Sequence, residues 1–568
     1  MCGFTIYITT YFVSHHNKEK PVIRIPDVNA VQHRGPDETR EKIVKIQFQN
    51  IIHDIRFCFN RLSIVNLENG SQPIVYKQNN IKNSVVVCNG EIYNYQTIKE
   101  YLKNKVNELS RIDHKKGFWL TGADALDGSD CEIIYPLYVD IHQKNRGNTL
   151  RSACLMADHL DGDFAFVIQT DKVIIMGRDP FGVRPLFYSL KDNLQISSEE
   201  MGLTNGGIPF PPGYVGVYNI HSAQLDMVRY CVSLDTIVPH ADNQISKLLI
   251  AAVRKRLMSD RPVAYFLSGG LDSTLVAYIG STLTNEKIKT FSIGMADSSD
   301  LKAARKVAAI LNTDHTEVNF TSDEAILHLG TLIKHLASYD CTTVRASLPM
   351  FLLSKYIAEQ TPYRVVLSGE GSDELLGGYL YFHMAPSMEA FQSETLRRID
   401  NLYMFDVLRS DRSTAAHGLE IRVPFLDKAF VRHVVGMLPQ VKSPKAYKYN
   451  DRYIEKGVLR TAFNDQVPEA LREIIWRQKE AFSDGVGYGW VRSLKEHAES
   501  QITDEEFSKA SEMYLHNVPM TKEEFLYRKI FQKNYPNSEY NISEIWRPAW
   551  TNITDPSATQ LKQHDTQA

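Results

Sequence analysis

Cys2 stands directly behind the start methionine, with Gly3 after it. A small second residue predicts removal of Met1, which leaves a thiol and a free α-amine on one residue. An α-amine titrates near pH ~8, far below a lysine, so it can serve as a base at neutral pH. Such a chain carries a nucleophile together with its own base. Two glycine-rich stretches downstream point to other chemistry. Ser268-Gly269-Gly270-Leu271-Asp272-Ser273 follows the apolar run 263–267, and Ser368-Gly369-Glu370-Gly371-Ser372-Asp373-Glu374 follows 365–367. Small residues let successive N–H groups converge on an anion at the start of a helix. The acids of the second loop suit Mg²⁺ held against phosphates. No Gly-x-x-x-x-Gly-Lys-Ser/Thr occurs, which excludes a Walker-type site. Two such loops, each with an aspartate after glycine, point to nucleotide chemistry.

These residues need elements to position them. A length of 568 residues predicts two to four domains. Residues 1 to about 230 read mostly as strands, at 4–10, 56–65, 85–88, 164–169, 173–177, 186–190 and 215–220, with helical patterns at 95–105 and 130–143. The polar stretch 104–129 reads as an insertion loop. Near residue 245 the period changes. Strands at 263–267, 288–295, 315–320 and 364–367 alternate with helices at 272–280, 300–312 and 323–337, which predicts a doubly wound parallel sheet. In such sheets ligands bind beyond the carboxyl ends of the strands, where both glycine loops fall. Past residue 390 the pattern is largely helical.

Composition narrows the classes. Net charge is −3, with no basic patch for nucleic acid and no polybasic membrane anchor. The apolar stretch 263–280 is broken by Ser268-Gly269-Gly270 and Asp272, unlike a membrane span. Seven scattered cysteines without a Cys-x-x-Cys pair, and no basic leader before an apolar core, predict a reducing compartment, the cytoplasm, and no zinc site.

At this point a resemblance becomes specific. Ser-Gly-Gly-x-Asp-Ser is similar to the pyrophosphate loop of ATP pyrophosphatases, which adenylate a substrate. The first half resembles class II glutamine amidotransferases in Cys2-Gly3, His33-Arg34-Gly35-Pro36-Asp37, Arg61-Leu62-Ser63-Ile64-Val65, Asn89-Gly90-Glu91-Ile92-Tyr93-Asn94, Gly128-Ser129-Asp130 and Arg178-Asp179-Pro180-Phe181-Gly182. With Thr342-Thr343-Val344-Arg345-Ala346-Ser347, the run from Glu420 to Asp427 and the run from Arg477 to Gly485, the chain over nearly its whole length resembles the glutamine-dependent asparagine synthetases. One departure is Met201, where members often carry lysine.

The resemblance implies an α+β N-terminal-nucleophile domain, a layered α/β/β/α sandwich, at 2–225. A linker at 226–245 follows, then an α/β synthetase domain with a helical C-terminal part at 246–550, and a polar tail at 551–568. It implies that Cys2 attacks the side-chain amide of glutamine, with the oxyanion on Asn89 and Gly90. Arg61 to Val65, Glu91 and Asp130 would hold the glutamine; His33 is as plausibly structural as catalytic. Leu267, the 268–273 loop (Ser268, Gly269, Gly270, Asp272, Ser273), Ile293, Ser368, Gly369 and Lys479 would hold ATP and pyrophosphate. Asp272 and Asp373 would hold Mg²⁺, and Thr342, Thr343 and Arg345 the aspartate. Glu370 is tied to formation of the β-aspartyl-AMP intermediate. Ammonium is mostly protonated at neutral pH, so ammonia is expected to pass internally, along an apolar passage at the domain interface. The implied partners are glutamine, aspartate and ATP, with no nucleic acid or membrane; for the assembly a homodimer is the candidate. The rival readings are a glutamine-dependent adenylating amidotransferase for another carboxylate, and an inactive binding protein on the same fold. The second would be marked by loss of Cys2, Asp272 or Glu370, all of which are present.

Overall fold

The computed structural model describes residues 1–12, 27, 29–78, 82–112, 126–231, 233–234, 240, 243–479, 485–487 and 489–553. It divides into two compact units, 1–232 and 233–568.

The first unit is built on two six-stranded antiparallel sheets. One runs in the order Ile208–Pro209, Phe187–Ser189, Gln195–Ser197, Gly3–Phe12, Ile51–Arg61, Glu38–Phe48. The other runs Leu225–Arg229, Tyr214–Asn219, Val173–Arg178, Gly162–Gln169, Lys82–Ile92, Ile74–Gln78. The period of two in these strands sorts side chains between two cores. Val85, Val87, Ala165, Val167, Ile174 and Met176 join Phe4, Ile6, Phe57 and Phe59 in the layer between the sheets. Their neighbours Val86, Cys88, Phe164, Phe166, Ile168 and Ile175 face helices Tyr95–Ile112, Ile134–Lys144 and Thr149–His159.

The described α-helices of this unit pack on one outer face of the paired sheets. Two differences from the sequence reading are physical. Strand Leu225–Arg229 pairs with Tyr214–Asn219, so the start of the expected linker belongs to the sheet. Helix Tyr95–Ile112 runs into the expected 104–129 loop, of which 113–125 lies outside the described residues.

The second unit holds a five-stranded parallel sheet in the order Asp314–Asn319, Lys289–Gly294, Val263–Phe266, Val365–Leu367, Glu420–Arg422. Counted along this unit the order is three-two-one-four-five. The direction of winding therefore reverses between the first and fourth strands, which are hydrogen-bonded neighbours. That reversal opens a crevice beyond their carboxyl ends. Helices Leu271–Thr282 and Ser299–Leu311 follow the first two strands. The second is capped by the Ser298 hydroxyl, which accepts from the Leu301 N–H at 3.0 Å, and ends on left-handed Asn312. The helix expected at 323–337 is two, Ser322–Leu327 and Leu329–Leu336, broken at His328. The segment 551–553 does not hang free: Ile553 packs with Ala549 and Trp550 against an aromatic cluster around Tyr381, Phe382 and Trp546, while 554–568 lies outside the described residues.

Candidate active sites

In the first unit, strand Gly3–Phe12 and strand Lys82–Ile92 bring Cys2 to Asn89. The Cys2 backbone N–H, here a peptide group joined to Met1, donates to Asn89 Oδ1 at 2.9 Å. The thiol reaches the Leu62 carbonyl at 3.8 Å. With its oxygen turned to Cys2, Asn89 presents Nδ2 as a buried donor that has no protein partner. An aimed, unpartnered amide beside a thiol is what an oxyanion of acyl transfer requires. Gly90 follows at φ +146°, and a Cβ there would lie 2.0 Å from the Asp163 carbonyl, so only glycine lets the strand turn at this point.

The rest of the expected pocket collects around this strand. Asp130 opens a short 3-10 turn and accepts the Ile92 N–H at 2.6 Å, and the Cys131 thiol meets the Gly90 carbonyl at 3.8 Å. Arg61 ends strand Ile51–Arg61 and directs its fork at the Asn66 and Leu67 carbonyls, 2.5 and 3.1 Å away. It thereby closes the 62–67 loop, in which Leu62, Ser63 and Ile64 are buried and Val65 half-buried, and Ser63 donates its N–H to Asp37 at 2.8 Å. Glu91 is buried.

Sequence reasoning missed the brace behind Cys2. Arg34 is buried and donates from Nε to the Cys2 carbonyl at 3.1 Å. Its Nη1 pairs with Glu199 at 2.5 Å, and the other Glu199 oxygen meets His33 Nε2 at 3.1 Å. His33 is thereby joined to the brace behind Cys2. Glu199 sits two residues ahead of Met201, in the run that departs from the family pattern.

In the second unit, Gly269 takes φ +75° and lies so close to the next helix that a Cβ would be 2.5 Å from the Ala303 Cβ. The Ser268 hydroxyl meets Ser273 Oγ at 3.0 Å and accepts the Gly270 N–H at 3.3 Å, which folds the loop onto the start of helix Leu271–Thr282. The loop after Val365–Leu367 packs directly on it: a Cβ on Gly369 would meet Asp272 Cβ at 2.8 Å. Both loops line one cavity of about 220 Å³, together with Leu267, Ile293, Thr342 and Lys479.

Charge in this cavity is arranged in two groups. Lys456, buried and left-handed, puts Nζ 2.6 Å from Asp272 and 2.6 Å from Asp373. Lys479 reaches Asp373 from the other side at 2.8 Å. Burial alone would raise the Asp373 carboxyl, but the two ammonium groups outweigh it and hold it below the usual carboxylate range. Lys479 is conversely held above an ordinary lysine: burial opposes its charge, and Asp373 and Asp272 more than offset that. The second group centres on Arg409, which bonds Glu370 at 2.6 Å and Asp406 at 2.7 Å. Burial raises the Glu370 carboxyl against the pull of Arg409. Tyr379 donates to Glu374 and lies 3.1 Å from Asp406. Lys456, Arg409, Asp406 and Tyr379 carry no motif of their own and escaped the sequence reading.

The three residues implied for aspartate separate. Thr342 lines the cavity, and its hydroxyl is buried with no protein partner. Thr343 instead donates N–H and Oγ1 to Asp340, both at 2.8 Å, capping helix Cys341–Gln360. Arg345 points to Glu523 in a two-pronged pair of 2.8 and 2.6 Å. Both groups are buried, so Glu523→Gln leaves a guanidinium short of its counter-charge. It is expected to cost about 3 kcal/mol, read as a lowered urea midpoint of this unit.

The two units thus define a class: a thiol-dependent amidotransferase unit joined to a synthetase unit whose glycine loops meet at the reversal point of a parallel sheet. Comparison with known proteins narrows it. The asparagine synthase family matches residues 244–393 and 384–561. Two glutamine amidotransferase domain families match 59–205 and 1–116. Asparagine synthetase [glutamine-hydrolyzing] of Mus musculus is 38% identical over 95% of this chain and 96% of its own length. The Homo sapiens protein of that name is 38% identical over 94% and 95%. The chain belongs to the glutamine-hydrolysing asparagine synthetase family. Among the described residues no helix is long and apolar enough to cross a membrane.

Proposed function

We propose that this chain makes asparagine from aspartate with ATP, using ammonia freed from glutamine. The observation that carries the reading is the single cavity in which the 268–273 loop, Asp373, Lys479, Glu370 and Thr342 meet. It joins a phosphate cradle to a carboxylate end. At the first site, with Met1 removed, the Cys2 thiol adds to the glutamine amide carbon. Asn89 Nδ2 donates to the oxyanion, and the α-amine takes the thiol proton and gives it to departing ammonia. Water then releases glutamate from the thioester. Arg61, the 62–65 loop, Glu91 and Asp130 hold the glutamine.

At the second site the aspartate β-carboxylate attacks the α-phosphorus of ATP, and pyrophosphate leaves. The carboxylate oxygen, which could not leave on its own, departs as AMP when ammonia attacks the acyl carbon. Leu267 and Ile293 flank the nucleotide, the 268–273 loop, Ser368, Gly369 and Lys479 hold its phosphates, and Glu370 accepts the proton lost by the attacking nitrogen. Thr342 contacts the aspartate; Thr343 and Arg345 act through the helix they brace. Asp272 and Asp373, which converge on the Lys456 ammonium group, are hard oxygen donors of the kind that would hold Mg²⁺. When bound, the ion would neutralise phosphate charge there. Seven cysteines without a disulfide favour the cytoplasm, and a homodimer is the assembly to look for.

The test is one incubation with aspartate, glutamine, ATP and Mg²⁺, scoring asparagine, AMP and pyrophosphate together. The three are expected in equal amounts. ADP in place of AMP, or no asparagine, overturns the reading.

A further inference from the structure

The carboxylate end of the cavity is walled by the C-terminal segment, through Trp546, Pro548 and Ile553. Its attachment is specific. The Trp546 N–H donates to Asp340 Oδ1 at 2.8 Å, while Asp340 Oδ2 takes both bonds from Thr343. One fully buried carboxylate therefore fastens the segment to the helical turn that carries Thr342 into the cavity. The indole is held on two further sides. Tyr379 meets it edge-on, with ring centres 5.4 Å apart, and the Arg398 guanidinium lies 4.4 Å over its face. Arg398 is itself fixed by Glu394 at 2.7 Å. Tyr379 bonds Asp406, and Arg409 links Asp406 to Glu370, which sets the indole at the Glu370 end of the cavity.

We propose that Trp546 is a specificity-determining residue that fixes the length of the acid accepted, admitting a four-carbon amino diacid and turning away its five-carbon homologue. The proposal rests on the function argued above. A flexible wall would yield to one extra methylene. An indole pinned by a backbone bond, an edge-on ring and a guanidinium cannot yield without breaking them. Discrimination of one methylene by a fixed apolar wall is typically about 10–200-fold.

The experiment measures pyrophosphate release by the full chain with ATP, Mg²⁺ and ammonium, using L-aspartate or L-glutamate. Trp546→Ala and Trp546→Leu are each expected to raise kcat/KM for glutamate relative to aspartate by about tenfold or more. Trp546→Phe is expected to shift that ratio less than about threefold, because a planar ring remains. The KM for ATP should hold within about twofold in all three, since Trp546 is tied through Tyr379, Asp406 and Arg409 to Glu370 rather than to the 268–273 loop. An unchanged ratio in the folded leucine variant overturns the proposal, as does a rise in the KM for ATP that matches the rise for aspartate. A wild-type chain that forms no asparagine overturns the functional reading itself, a separate outcome.

Discussion

Cys2→Ala abolishes glutamine-dependent asparagine formation and leaves ammonia-dependent formation at the wild-type rate. The expected loss is on the order of 10⁶-fold, as for removal of a catalytic nucleophile elsewhere. The split follows from the division of labour. Cys2 is held by Asn89 and Leu62 in the first unit, whereas both glycine loops and Glu370 line a cavity wholly within the second. Each unit also has its own core, so a one-atom change at Cys2 does not unfold the other. Asn89→Ala should fall between, losing about 10²–10³-fold of glutaminase turnover while the thiol still labels with a glutamine-like electrophile. The same site makes a demand on processing. While Met1 is attached, the Cys2 nitrogen is a peptide donor to Asn89 and cannot serve as a base. Intact-mass analysis of active protein should therefore find Met1 gone. Equal loss of both activities in Cys2→Ala would show that the two halves do not separate as argued.

How far the sequence disclosed this arrangement depended on how local each signal was. The strands at 263–267 and 288–295 and the loops after them were legible because an apolar run followed by glycines is a local pattern. The long strand Glu38–Phe48 was not, because it lies at a sheet edge with most of its side chains in solvent, and its alternation is largely among charged residues. Strand Glu420–Arg422 has only three residues, too few to show a period. Cys2, Asn89 and Asp272 announced themselves through motifs. Lys456 could not: it is 184 positions from Asp272 and is drawn in by the tertiary fold. Arg345 shows the converse. Its motif marked it for substrate, yet its side chain meets Glu523, 178 residues away, because a guanidinium buried on a helix must find a carboxylate. Motifs locate the neighbourhood of a site; which member faces the cavity is decided by packing.

Lys456→Met should stop asparagine formation from either nitrogen source, by about 100-fold or more, while glutamate release from glutamine without ATP stays within about twofold. Methionine keeps the length and apolar stem of lysine and removes only the charge. What remains is Asp272 and Asp373 facing each other with Lys479 and the more distant Arg460 to balance them, on two loops already in contact through Gly369. Stripping the shared cation from a buried pair typically costs about 3–5 kcal/mol. The 268–273 loop can relieve that only by moving away, which opens the phosphate cradle. Adding Asp373→Asn to Lys456→Met separates the two consequences. It removes the repulsion, so thermal stability should recover most of what the single variant lost, a coupling expected of groups in direct contact. Pyrophosphate release should not recover, because the cradle would still lack the Lys456 cation and would carry an amide where the Asp373 carboxylate stood. Recovery of activity along with stability would mean that Lys456 only keeps two carboxylates apart.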